Sequence, residues 1–180
     1  MRKEIHLRNI ELRAFERDDG LFEVVGRLID QKPHELRLPI PHGPRPVPAN
    51  VPMHDVTVRV MFDEEMLVRE VDAATTAAPY DVCFGAPATV AAMKGLTLSA
   101  GWVSEVRKRL GGAQGCTHMA EVLIAIATVA YQALTVHRWN QPERTDANGR
   151  PLKLESCYAY GLDREVVMKR YPRFYTGEQP

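Results

Sequence analysis

The sequence predicts an α+β fold: an antiparallel sheet of about four strands, then two shorter helices, one long buried helix and a C-terminal hairpin. Three observations carry this reading. Apolar and polar residues alternate with period two through much of 4–73, the signature of half-buried strands. Asp18-Asp19-Gly20 and Asp63-Glu64-Glu65 break that alternation as turns. After Pro79 the apolar spacing lengthens to the helical period, ending in a 21-residue run over 117–137.

The first strand is expected over 4–15, with Ile5 and Leu7 and then Ile10, Leu12 and Ala14, a phase slip that predicts a bulge near Asn9. Arg17-Asp18-Asp19-Gly20 turns the chain into a second strand over 21–30. Seven of the thirteen prolines then fall in 33–52, with His34 and His42 among them. Proline lacks the N–H a ladder needs, so 31–53 reads as an irregular loop laid over the surface or over a pocket. Residues 54–62 form the clearest strand, with Val56, Val58, Val60 and Phe62 on one face and Thr57, Arg59 and Met61 on the other. A further strand follows over 66–73.

Pro79-Tyr80-Asp81-Val82-Cys83 is a junction. A short helix is expected over 88–93, stopped by Gly95, and a second over 99–110, with Trp102, Val103, Val106 and Leu110 on one face. In the long helix, 117–137, apolar residues go nearly all round, which predicts burial on most sides. Residues 140–151 are a polar loop. Residues 154–160 and 165–169 read as a last hairpin around Gly161, and 171–180 as a loose tail. One domain over 1–180 is expected.

Composition excludes several classes. Positive and negative charges balance to zero and are interleaved, so neither nucleic acid nor a membrane surface is an expected partner. His6, Arg8 and Glu11 interrupt any N-terminal signal segment, and Glu121, Tyr131 and Gln132 interrupt the most apolar run. A cytoplasmic protein is expected. Its three cysteines are an odd number without a Cys-x-x-Cys pair, so a disulfide framework is not. There is no phosphate loop, dinucleotide fingerprint, nucleophile elbow or His-Glu-x-x-His.

Gly115-Cys116-Thr117-His118-Met119-Ala120-Glu121 concentrates the chemistry. A thiol, an imidazole and a carboxylate share the first turn of the long helix, where backbone N–H groups are free and the dipole is positive. Three readings stay open. Cys83, Cys116 and His118, with His54, could hold zinc or iron tetrahedrally. The cysteines could be small buried apolar groups. Or the turn could be catalytic without metal. On the last reading the dipole keeps His118 neutral near pH 7 as acid or base, with Tyr80, Arg59, Glu121 and His54 completing a pocket between sheet and helices. Arg17 could clamp a carboxylate or phenolate. The weak metal spacing favours no cofactor, with zinc or iron as the alternative. The long apolar helix would suit a homo-oligomer interface.

The chain resembles the bacterial family catalogued as domain of unknown function 2889. The resemblance rests on Arg17-Asp18-Asp19-Gly20, Gly26, Asp30 and Lys32, on His54 before the 56–62 strand and Asp63, and on Pro79-Tyr80 with Cys83. It continues through Gly101-Trp102, Gly115-Cys116-Thr117-His118 and Glu155-Ser156-Cys157. A fainter likeness to iron–sulfur scaffold proteins rests on Cys83, on the 94–98 stretch and on the Cys116-led helix. The family resemblance implies a bacterial enzyme of aromatic-compound catabolism that needs no cofactor. The activity it implies is a carbon–carbon lyase releasing formaldehyde from a lignin-derived aromatic dimer. On that implication His118 or Tyr80 is acid or base, and Arg59 or Arg17 holds a phenolate. Trp102, Phe84 and Tyr131 form the walls that receive the aromatic substrate.

Overall fold

The computed structural model describes residues 1–40, 43–139 and 141–178; His42 lies outside them. The chain, expected as one domain, divides into two compact units, Met1–His137 and Arg138–Pro180.

The first unit is the predicted α+β body. Its four-stranded antiparallel sheet has the order β1-β2-β5-β6. These strands are β1 (Leu7–Glu16), β2 (Phe22–Gln31), β5 (Pro52–Phe62) and β6 (Val68–Ala77). The even-numbered residues of β2 and β5 face the core: Phe22, Val24 and Leu28 on β2, and Val56, Val58, Val60 and Phe62 on β5 are all buried. Against this sheet lie α2 (Thr117–His137) and, along β6, a 3-10 helix (Asp81–Met93); α1 (Trp102–Leu110) packs on those two helices.

Close approach of α2 to the sheet depends on Gly26. A Cβ at this position would stand 2.5 Å from Val122 Cγ1, so any larger residue would push the helix away. Trp102 anchors α1 to α2: its buried indole N–H donates to the Leu123 carbonyl at 2.6 Å. The buried residues of α2, Met119, Val122, Leu123, Ile126, Ala130 and Leu134, recur every three or four positions. The helix is therefore buried along one stripe and not on most sides, and Tyr131 and Val136 are exposed. Apolar composition overstates burial here because alanines and threonines tolerate the outer face. Thr117–His137 is long and apolar enough to cross a membrane by length and composition, a test that core helices also pass.

Several boundaries differ from expectation. β1 pairs with β2 in unbroken register through Asn9, so the expected bulge is absent. Register shifts occur instead at Asp30/Gln31 against β5, and at Asp55/Val56 and Met61/Phe62 against β6. The helix expected at 88–93 begins earlier, as the 3-10 helix Asp81–Met93 containing Pro87. The segment 31–53 is not wholly irregular. It holds a small hairpin, β3 (Leu36–Leu38) with β4 (Arg45–Val47), whose Pro46 is tolerated because a two-stranded ribbon is all edge. Arg45 ties this hairpin down by donating to the Ala78 carbonyl at 3.0 Å.

In the second unit the expected hairpin is absent. Tyr158–Tyr160 is a 3-10 turn and Glu165–Arg170 is the short helix α3. Val166-Val167-Met168 is too short a run to tell strand from helix. Glu165 pairing with Lys169 one turn on, and Pro172 beyond, favour the helix. The tail expected to be loose forms a 3-10 turn at Pro172–Phe174.

Candidate functional site

Strand register sets the site. Arg8 on β1 stands opposite Asp30 on β2, and Asp30 stands opposite His54 on β5. Alternation places all three on the core face, in one row at the end of the sheet. The register shift after Asp30 ends regular pairing there, as bulges do beside functional sites. The start of α2 covers the row: Cys116 just before the helix, His118 in its first turn and Glu121 in the next.

Asp30 is the centre. Only 1% of it is exposed. Arg8 donates to both carboxylate oxygens, Nε to Oδ1 at 2.8 Å and Nη2 to Oδ2 at 2.7 Å, and His6 Nε2 lies 3.0 Å from Oδ1. Arg8 Nη1 also donates to Glu121 at 2.5 Å. Oδ2 faces two imidazoles, His54 Nδ1 and His118 Nε2, each at 3.3 Å. Their rings lie 3.9 Å apart, centre to centre, tilted by 33°. Burial pushes the Asp30 carboxyl up, but the hydrogen bonds and charge of Arg8 outweigh it and hold the group at about 2.

The two imidazoles are driven apart. His118 Nδ1 hydrogen-bonds Cys116 Sγ at 3.7 Å. That bond, with the charges of the thiolate and Asp30, raises the His118 pKa against the effect of burial. His54 goes the other way: burial lowers it first, and the charge on His118 lowers it further. The helix dipole alone would lower His118; the thiol and the carboxylate at contact distance act in the opposite direction and set the sign of the shift. Cys116 responds in kind. Burial raises its pKa, but the His118 bond and the backbone N–H groups of Met119 and His118 lower it overall.

A cavity of about 330 Å³ opens beside this cluster. His54, His118, Cys116, Cys83, Tyr80 and Thr75 supply its polar and sulfur atoms, and small apolar side chains supply most of the rest. Among the described residues Thr75 Oγ1 is buried without a hydrogen-bond partner, and His54 Nδ1, though 3.3 Å from Asp30 Oδ2, makes no bond of hydrogen-bonding geometry. Such atoms are costly to leave unsatisfied, and both border the cavity.

Of the residues singled out from sequence, His118, His54, Cys116, Cys83 and Tyr80 line this cavity, and Glu121 joins through Arg8. Arg59 does not. Its odd position on β5 turns it to the opposite face, where it pairs with Asp72 and Glu23. Arg17 pairs with Asp19 and Glu23 at the β1–β2 turn. Trp102 is a core anchor, and Phe84 and Tyr131 are half-exposed away from the cavity lining. The sequence assigns no site role to Arg8, His6 or Thr75, and Asp30 enters it only among the residues that carry the family resemblance, with no chemical role.

Among the described residues, the set Cys83, Cys116 and His118 does not converge to metal-ligand distances. Asp30, His54 and His118 do approach, with one atom each inside 4.8 Å of the others. Arg8, however, already holds both Asp30 oxygens and supplies the positive charge that a cation would bring. The arrangement is suited to holding and moving a proton.

Fold and site together define an α+β protein with a helix-capped antiparallel sheet and an Asp–His–His–Cys cluster, built on a buried carboxylate, that opens on an apolar cavity. The family described as protein of unknown function (DUF2889) matches residues 6–132, and the chain belongs to that family. The match spans every residue of the cluster. No curated protein and no solved structure matches the chain, so the likeness to iron–sulfur scaffold proteins has no support.

Proposed function

We propose that the protein is a cofactor-independent acid–base enzyme of bacterial aromatic-compound catabolism, a carbon–carbon lyase that releases formaldehyde from the hydroxymethyl group of a lignin-derived aromatic dimer. The observation that carries this reading is the division of two imidazoles by one carboxylate at the wall of an apolar cavity. Two imidazoles shifted in opposite directions are suited to supply the base and the acid of one reaction.

His54, favoured neutral, takes the hydroxyl proton of the CH2OH group. The O–H electrons form the formaldehyde carbonyl as the carbon–carbon bond breaks. The released pair forms a carbon–carbon double bond conjugated with the ring and expels the neighbouring ether oxygen. His118, favoured protonated, gives that oxygen its proton. Thr75 Oγ1 offers the substrate a hydrogen bond. The cavity volume lies near the lower end of the range for small-molecule sites.

The test is a formaldehyde assay on purified full-length chain supplied with hydroxymethyl-bearing aromatic ether dimers, alongside metal analysis of the same preparation. Formaldehyde release that survives chelation and is lost in His54→Gln supports the reading. No release from any such dimer overturns it. Near-stoichiometric zinc or iron whose removal abolishes activity would replace it with the competing reading, a metal-binding protein.

A further inference from the structure

Cys116, His118 and Asp30 form a relay of their own. Cys116 Sγ bonds His118 Nδ1 at 3.7 Å, and the opposite ring nitrogen of His118 lies 3.3 Å from Asp30 Oδ2. Asp30 is in turn fixed by Arg8 through both oxygens. This order of thiol, imidazole and buried carboxylate is the one by which a nucleophile, its proton partner and an orienting group are recognised. The thiol sits immediately before the first residue of α2 and lines the cavity. Thr75 Oγ1, without a hydrogen-bond partner among the described residues, lines the same cavity and can meet the oxygen of a bound carbonyl.

We propose that Cys116 is a nucleophile that adds reversibly to the carbonyl carbon of a small aldehyde bound in this cavity, with His118 as its proton partner and Asp30 as a positioning residue. The thiolate pair forms the S–C bond, the carbonyl π pair moves to oxygen, and that oxygen takes the His118 Nδ1 proton. The product is a hemithioacetal beside a neutral imidazole. No electrons are gained or lost overall, and the reverse steps restore thiolate and imidazolium. The direction of the shifts on Cys116 and His118 accords with this, each stabilising the charged form of the other. The inference goes beyond the lyase reading and does not depend on it.

The experiment is alkylation of the native full-length chain by iodoacetamide across pH 5 to 9 (a range spanning roughly two pH units either side of neutrality), with each cysteine followed by peptide mass spectrometry. The exposed Cys157 serves as internal reference. Cys116 is expected to react, and its rate–pH midpoint to rise by about one unit or more in His118→Gln. Asp30→Asn should raise it by less. Pre-incubation with formaldehyde should protect Cys116 more than Cys157, and dilution should reverse the protection. Circular dichroism on each variant guards against misfolding. A Cys116 that resists alkylation in the folded chain overturns the proposal. So does a midpoint unchanged in folded His118→Gln, or equal formaldehyde protection of both cysteines. Because the readout is thiol chemistry, the lyase reading can fail while this one stands, and the reverse.

Discussion

Asp30 Oδ2 lies 3.3 Å from His118 Nε2, joining the end of β2 to the first turn of α2. Arg8 and His54 meet the same carboxylate from the strands on either side. Removing its charge leaves the Arg8 guanidinium with only the more exposed Glu121 as a charged partner. Asp30→Asn is therefore expected to cost about 3 kcal/mol in denaturant unfolding at neutral pH. A cost under about 0.5 kcal/mol, the level of an ordinary surface substitution, would show that Asp30 does not hold this corner together.

The same carboxylate makes stability depend on acid. Its folded value, about 2, is depressed from the 3.8 of an unperturbed aspartate. Stability from Asp30 is complete above the unfolded value and drains away as pH falls through the folded one, amounting to about 2 kcal/mol. Unfolding free energies measured down the acid limb should fall more steeply for the natural chain than for Asp30→Asn. Parallel acid limbs would contradict the depressed value.

Histidine titration by NMR should separate the two imidazoles. His118 is expected to lose its proton above the ordinary 6.5 and His54 below it. For stability the signs oppose. The His118 contribution is full below 6.5 and lost as pH rises through its raised value. The His54 protonation penalty appears as pH falls through 6.5. In Cys116→Ser the His118 midpoint should drop, since its largest raising influence is gone. A pair titrating together near 6.5 would sink the division of acid and base roles.

Gly26→Ala should lower the melting temperature, because the new methyl would overlap Val122 Cγ1. Overpacking of this kind costs about 1–3 kcal/mol. Adding Val122→Ala should recover part of the loss. If the double variant is less stable than the additive sum, the glycine is not there to admit the helix.

Trp102→Phe removes the indole donor to the Leu123 carbonyl and leaves a void in a fully buried position. A loss of about 2 kcal/mol is expected in equilibrium unfolding. Near-UV circular dichroism should show whether packing between α1 and α2 loosens with it.

Much of this was legible in the chain. β5 could be read from Val56, Val58, Val60 and Phe62, because period-two alternation follows directly from pleating. The limits of α2 could be read because 21 residues of helical spacing leave little room for another reading. His54, Cys116 and His118 drew notice through their chemistry. Asp30 could have been found too: Phe22, Val24, Gly26 and Leu28 set the inward phase of β2, and Asp30 continues it, a charge where the core should be. Arg8 shares the phase of Ile10 and Leu12 in the same way. Arg59 was misplaced against its own phase, since it alternates with the inward valines. Thr75 had no such signal, because an orphaned hydroxyl is a property of three-dimensional surroundings. The C-terminal hairpin failed because short apolar runs carry no periodicity long enough to decide between strand and helix.

The row Arg8–Asp30–His54, capped by His118, also governs when this site can come into being. Its corners come from the first strand, the second, the fifth and the last helix of one unit, so the β1–β2 hairpin supplies only the Arg8–Asp30 side and the rest arrives from far along the chain. Each corner closes a long loop before any contact repays the lost chain entropy. The buried carboxylate can meet Arg8 within that hairpin, but it acquires His54 and His118 only as β5 and α2 dock. During refolding, the Asp30–His118 contact should therefore mature late, and the chemical behaviour of Cys116, which reaches Asp30 only through His118, becomes a clock for the final step of assembly.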